Sequence, residues 1–317
     1  MAYALGLIVQ NHVATNWKLG LALSLVAVVF WGVLPLALSI ALTGADPYTV
    51  TWFRFTVATV VLGAVMSVTR NLPSLRSMTR FSWMLLVIAV LGLAGNYVLF
   101  LLALSLTSPT VAQTLAQLSS IFLLIGGVVV FGEELSPLQR IGLVILLIGL
   151  GLLFNKRFLE FSLSGRLAWG IALALLSAIV WSAYGLAQKR LLKELGSQQI
   201  LLLIFFGSSV LLLPFASPGT IPNMNSLQFG ALLFCCANSL IAYGSFAEAL
   251  KHWKVSRVGA VIATAPLFTL ASMFVAKRFV AEIVPSEELN AASIVGILFV
   301  VVGSALCALE GRQTPQS

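Results

Sequence analysis

Charge is what this chain has least of: aspartate, glutamate, lysine and arginine together make up 9% of its 317 residues. Soluble domains carry about 25%, so an ordinary soluble domain is excluded. Histidine is nearly absent, being confined to His12 and His252. No H-E-x-x-H, H-x-x-x-x-D or G-x-S-x-G motif occurs. An integral-membrane enzyme acting on lipid, the competing class, is therefore short of bases and metal ligands. A G-x-x-x-x-G-K-[ST] phosphate loop is also missing, so the chain hydrolyses no nucleotide itself. Cys235, Cys236 and Cys307 all fall inside apolar runs and read as small core residues. No cofactor and no metal centre is expected. The formal net charge is +8, but the basic residues lie in separate loops with no interleaved aromatics, which excludes a nucleic-acid groove.

What is abundant is apolar sequence, 60% of residues, in runs with almost no room between them. A spanning helix needs about 20 residues, so this length holds about ten with short loops. The expected spans are 19–42, 48–69, 81–104, 108–131, 139–154, 166–187, 198–215, 227–250, 257–276 and 292–309. Residues 1–18 read as a cytoplasmic segment rather than a signal peptide, because no basic region precedes the short apolar run. Residues 310–317 form a cytoplasmic tail. Lysine and arginine set the orientation. With the N-terminus inside, the inner connections hold Lys18, Arg70, Arg76, Arg80, Arg140, Lys189, Arg190, Lys193, Lys251, Lys254, Arg257 and Arg312, against Lys156, Arg157, Arg166, Lys277 and Arg278 outside. Both termini are expected in the cytoplasm of a cell exposing this protein in its inner or plasma membrane.

The stretch 111–151 organises the chain. Its two apolar runs flank Glu133-Glu134-Leu135-Ser136-Pro137. A charge at the bilayer centre costs at least ~2.5–3.5 kcal/mol, so the two carboxylates mark a solvent-exposed turn between membrane helices. The pattern returns: Glu287-Glu288-Leu289 repeats the acidic turn, and Gly296 and Gly303 repeat the spacing of Gly142 and Gly149. Tyr97 and Phe100 return as Tyr243 and Phe246, and Trp31 as Trp181. The fold class expected is an all-α integral membrane protein of ten transmembrane helices, built as two inverted five-helix repeats over 19–154 and 166–309. An odd number of spans per repeat inverts the second copy, and such carriers hold their substrate near the midplane between the halves.

These residues resemble the ten-helix EamA-like branch of the drug/metabolite transporter superfamily. The features that carry the resemblance are Phe131-Gly-Glu-Glu-Leu-Ser136 with Gln139-Arg-Ile-Gly142, then Trp31, Asp46-Pro47 followed by Arg54, and Ala265-Pro266-Leu267-Phe268. The resemblance covers nearly the whole chain, from about Leu19 to Leu309. It implies a proton- or gradient-driven carrier, often an exporter of amino acids or other small metabolites. It also implies a cavity lined by helices 1–4 and 6–9, with helices 5 and 10 at the periphery. Two departures stand out. Ser120 takes the place of a proline matching Pro266, which predicts a straighter fourth helix, and Ile204 stands at the counterpart of Arg54.

Polar side chains on membrane helices are the candidate cavity walls. Thr110, Gln113, Gln117 and Ser120 share one face of the fourth span; their amides suit a zwitterion or polyol, the competing role being hydrogen bonds between helices. On the sixth span, Ser177, Trp181, Tyr184 and Gln188 form a similar face whose rings can stack on a solute, or else mark an interfacial belt. Trp31 and Tyr243 join by repeat correspondence, and Asn96 and Asn238 by polar inner faces among small neighbours. Arg54 lies roughly 9 Å below the outer end of its helix at ~1.5 Å per residue, shallow enough to snorkel outward; a helix-packing or lipid-interface role competes with a substrate-carboxylate or gating role. Glu248 stands one turn from Lys251 and Lys254, which suggests an ion pair at the inner interface, with proton coupling as the alternative. Pro266 joins these two as a coupling or gating candidate. The expected function is a secondary carrier exporting small metabolites, with a multidrug efflux carrier as the nearer alternative and a channel as a third class. Its partners are a small-molecule substrate, the lipid bilayer, a proton as coupling ion and a second copy in a homodimer.

Overall fold

The structure is a computed structural model and describes residues 16–75, 78–131, 135–153, 155, 165–192, 194–252, 258, 261–279 and 289–308. Among them the secondary structure is helical, with no strand: α1 Trp17–Ala41, α2 Pro47–Val68, α3 Arg80–Leu106, α4 Pro109–Ala116, α5 Leu118–Phe131, α6 Pro137–Leu153, α7 Gly165–Leu191, α8 Ser197–Leu212, α9 Ser226–His252, α10 Ala265–Ala276 and α11 Ala291–Ala308. Six helical stretches are long and apolar enough to cross a membrane: Trp17–Ala41, Pro47–Val68, Arg80–Leu106, Gly165–Gln188, Ser197–Phe215 and Ser226–Phe246. Their ends follow from local chemistry. Asp46 accepts from Tyr48 N at 2.9 Å and Thr49 N at 3.1 Å, with Pro47 in the first turn where its missing N–H has no cost. Thr79 caps α3 through Ser82 N, and Ser108 caps α4 ahead of Pro109. Both acidic turns, Glu133-Glu134 and Glu287-Glu288, lie outside the described residues.

The span expected over 108–131 is two helices, α4 and α5, separated at Gln117. Gln117 itself keeps helical dihedrals, φ −64° and ψ −18°, so the interruption is a one-residue tightening. Hydroxyls open the backbone ladder here. Thr114 Oγ1 donates to Thr110 O and Ser119 Oγ to Ala116 O, both at 2.7 Å. Ser182 Oγ, from α7, donates to Ser119 O at 3.0 Å. Gln117 N then turns to Thr114 O at 3.2 Å, a tighter three-residue closure. The second half interrupts its helix at nearly the same place: Ala263 and Thr264 form a turn before α10. There Thr264 N and Oγ1 both donate to Val261 O, at 3.0 and 2.6 Å, and Pro266 supplies no N–H to the first turn of α10.

The helices pair across the two halves of the chain. α1 packs along α9, α3 along α7, α2 along α8 and α6 along α11. The last pair explains the repeated glycines. A Cβ on Gly149 would stand 2.6 Å from Val300 N and 2.7 Å from Gly296 O; one on Gly303 would stand 2.6 Å from Gly142 O. Hydrogen at these four positions lets two antiparallel backbones touch, the close approach that substitutes for a hydrophobic driving force in lipid. Large side chains such as Val60, Val68, Val129 and Phe274 remain exposed, as an apolar solvent permits.

Gly149→Val is expected to lower stability by about 1–3 kcal/mol through overpacking, read as an earlier unfolding midpoint of purified protein in detergent. Gly151→Ala, where a Cβ would meet nothing within 4 Å, should not lower it. Equal midpoints for the two variants would contradict the α6–α11 contact.

Candidate functional site

One face of α2 turns inward: Thr51, Arg54, Phe55 and Ala58 are all buried, at 0–1% exposure. Arg54 follows that face to the interior, which corrects the lipid-interface expectation and leaves the helix-packing one in place. Its Nε donates to Cys235 O at 3.2 Å, and its Nη2 to Ser239 Oγ at 3.1 Å. Both acceptors belong to α9, and Ser239 lies at the middle of that helix. The guanidinium carbon stands 4.5 Å from the centre of the Tyr97 ring on α3, a cation–π contact made stronger by desolvation. Inward partners hold this arginine where an outward stretch would have met only lipid and headgroups.

Aromatic rings surround that point. Tyr97 packs on Phe55 at 4.7 Å, and Phe55 on Phe205 at 5.7 Å. Tyr184, 3% exposed, belongs to the same buried cluster, with Trp181 and Tyr243 packed against it. Trp181 meets Tyr184 at 6.3 Å, and Trp31 meets Tyr243 edge-on at 5.2 Å and Phe246 at 5.5 Å. Tyr243 lies within electrostatic reach of Tyr97, Tyr184 and Arg54. Arg54, Tyr184 and Tyr243, which are dispersed in the sequence, thus meet around Tyr97, with Trp181 and Trp31 one ring further out, on Tyr184 and Tyr243. The carboxylates among the described residues are engaged elsewhere. Asp46 caps α2, Glu194 accepts from Ser82 Oγ at 2.6 Å, and Glu248 contacts His252 Nε2 at 3.2 Å. None of these pairs with Arg54. Among the described residues no cluster of His, Cys, Asp or Glu forms that could hold a metal ion.

Other expected wall residues make bonds between helices. Asn96 Nδ2 donates to Ser177 O and Oγ at 3.1 and 2.8 Å, and Ser177 Oγ returns a bond to Asn96 O at 3.2 Å, fastening α3 to α7. Asn238 Nδ2 donates to Phe30 O at 2.6 Å, fastening α9 to α1. Gln117, at the α4–α5 break, accepts from Ser304 Oγ of α11 at 3.2 Å. Gln113 is buried on α4, which packs on α7 and α10. Ser120 lies in α5, and its side chain is outside the described residues. Pro266 begins α10, where Thr269 Oγ1 donates to Gly32 O of α1 at 2.7 Å. Glu248 has a 43% exposed side chain whose described partner is His252; the side chains of Lys251 and Lys254, its expected partners, fall outside the described residues. Sequence reasoning used Tyr97 as a repeat marker and did not select it as a wall residue. Its correspondence to Tyr243 was the signal that could have found it. Nothing in the sequence points to Ser239.

The family model of EamA-like transporters matches the chain twice, over residues 18–155 and 168–309. An uncharacterized transporter of Haemophilus influenzae is 39% identical over 297 residues, covering 94% of this chain and 97% of its own length. The uncharacterized inner membrane transporter YhbE of Escherichia coli is 35% identical over 296 residues, covering 93% and 92%. The aromatic amino acid exporter YddG of Ancylobacter novellus is 29% identical over 165 residues, covering 52% and 56%. A protein of known crystal structure shares the fold with a TM-score of 0.64 at 20% identity, covering 90% of this chain and 95% of its own.

The Asn96–Ser177 exchange should behave as glue between helices. A double-mutant cycle of Asn96→Ala and Ser177→Ala, read by unfolding in detergent, is expected to give a coupling of about 0.6 kcal/mol and at most about 1.7. Strictly additive effects would remove the bond from the account.

Proposed function

The chain belongs to the EamA-like transporter family, and from that premise we propose that it is a secondary active transporter exporting small metabolites such as amino acids by alternating access. It is a membrane transporter and not an enzyme. The finer reading is a ten-helix fold in two inverted five-helix repeats, with α4 and α5 as one interrupted span. The observation that carries it is the helix pairing. Exchanging the halves turns α1 into α7 and α3 into α9, so the α1–α9 pair becomes the α7–α3 pair, while α2–α8 and α6–α11 map onto themselves. The contact of α1 with α10 likewise maps onto that of α7 with α4 and α5. Two halves built alike and facing one another are the arrangement in which one can rock against the other around a shared site.

The residues at that shared site come from α1, α2 and α3 of one half and α7 and α9 of the other. The similarity of about half the chain to an aromatic amino acid exporter supports amino acids as the solute class. The ring-lined centre also supports the second reading, a multidrug efflux carrier, since aromatic walls accept varied apolar bodies. A proton gradient is the proposed energy source, with Glu248 and His252 one turn apart as its candidate carriers. The protein is proposed to sit with both termini in the cytoplasm.

Uptake and exchange of labelled amino acids by purified protein in sealed liposomes test this reading. Saturable exchange, accelerated by an imposed pH gradient, is the expected result, and no movement of any amino acid or cationic drug in the panel would sink it. Glu248→Gln should abolish gradient-driven transport yet leave exchange intact, because exchange needs no net proton movement; unchanged driven transport would clear Glu248 of the coupling role. Orientation is checked separately. Cysteines placed at Thr43 and Ser217 should label with impermeant reagent from outside intact cells, and one at Ser74 should not; labelling at Ser74 would reverse the topology.

A further inference from the structure

A guanidinium offers five N–H donors arranged along two edges, each able to form a pair of parallel hydrogen bonds. In Arg54 the side edge, Nε with Nη2, is taken by Cys235 O and Ser239 Oγ. Ser239 Oγ in turn donates to Cys235 O at 3.1 Å. Its proton is therefore spent on the backbone, and its lone pair faces the arginine. This small triangle fixes the plane of the guanidinium. The end edge, Nη1 with the second N–H of Nη2, meets no protein acceptor among the described residues. The face of the group lies on the Tyr97 ring at 4.5 Å.

A cation buried to 1% exposure and left without an opposite charge is costly unless something supplies one. Asp46, Glu194 and Glu248 are occupied at helix ends, away from it. On the two helices that hold Arg54, buried polar atoms stand without hydrogen-bond partners. They are Thr51 Oγ1, one turn before Arg54 on α2, and Asn238 Oδ1, next to Ser239 in the sequence of α9; the Tyr97 and Tyr243 hydroxyls face one another. Buried polar groups of native proteins are otherwise almost always paired. A fixed cation with one open fork, partnerless polar atoms nearby and aromatic rings next to them describe a receptor awaiting an anion with an apolar body.

We propose that Arg54 binds the carboxylate of the transported solute through its end edge, while Trp31, Tyr243 and Trp181 hold an aromatic or aliphatic body beside it. The inference rests on the transporter reading above and narrows its substrate to carboxylates. Two parallel N–H···O bonds match the spacing of a carboxylate. No described acid stands at the centre to receive an ammonium, so an organic acid without an amine binds as well as an amino acid does. Ser239 is a positioning residue: it touches the arginine and not the solute.

Isothermal titration of the purified full chain, in detergent, with 3-phenylpropionate and L-phenylalanine, each compared with its carboxamide, tests this. Each acid is expected to bind at least tenfold tighter than its amide, and 3-phenylpropionate to bind no weaker than L-phenylalanine. Arg54→Gln should bring the acid-to-amide ratio to about one, Arg54→Lys should recover part of it, and Ser239→Ala should reduce it by freeing the guanidinium to swing. Where Arg54→Gln fails to yield monodisperse protein, the parent ratio and the Ser239→Ala ratio decide together. The proposal is overturned if neither acid binds, if the parent does not distinguish acid from amide, or if the ratio is unmoved in the folded variants. A protein that fails here while moving other solutes across liposomes loses its carboxylate receptor and keeps its place as a transporter.

Discussion

A hydrocarbon solvent offers no hydrogen bonds, and the rest of this structure depends on that constraint. Every backbone N–H and C=O must be satisfied within the protein, which is why the described residues form helices. Where a helix is interrupted, hydroxyls step in. Thr114, Ser119 and Ser182 serve the carbonyls around Gln117, and Thr264 serves Val261. The same rule governs the side chains. Asn96, Asn238 and Arg54 each find acceptors on a neighbouring helix in the other half of the chain. The polar groups that the membrane penalises are thereby the ones that hold the halves in register.

Apolar burial cannot supply that register, because lipid tails are as apolar as leucine. Contact between α6 and α11 comes from shape, through four glycines that bring backbone to backbone. Contact between α3 and α7, and between α1 and α9, comes from close packing with single amide bonds. Beside the glycine seam, Leu146 and Leu153 of α6 are buried in one cluster with Ile297 and Val300 of α11. The interfaces near Arg54 carry rings and hydroxyls instead. Each half contributes one interruption, at Gln117 and at Ala263–Thr264.

Much of the architecture is legible in the amino-acid sequence because the bilayer fixes one length and punishes charge. Trp17–Ala41, Pro47–Val68 and Arg80–Leu106 match the expected spans to within a few residues, since the apolar runs end about where the helices do. The doubled unit is legible too, from Trp31 with Trp181 and from Tyr97 with Tyr243. Legibility fails where direction matters. A helix that is apolar all round has no face that declares itself inward, so the sequence tells how deep Arg54 lies along α2 and not which way it turns. Depth alone suggested the outer interface.

The break at Gln117 escaped for a related reason. Proline is a visible cause of interruption, whereas Thr114 and Ser119 open the ladder only because Ser182 of α7 takes the carbonyl of Ser119, a partner 63 residues away in the chain. Gln117 and Asn96 are legible as polar residues on membrane helices, and only the tertiary structure shows Ser304 and Ser177 as their partners. The sequence by itself determined what is local: helix lengths, caps, the glycine spacing, the repeat, and the scarcity of charge that makes each buried polar group matter. Tertiary structure alone decided which polar group meets which. A hydrogen bond in a membrane is made between helices, and its partner is set by how those helices lie together rather than by anything written beside it in the chain.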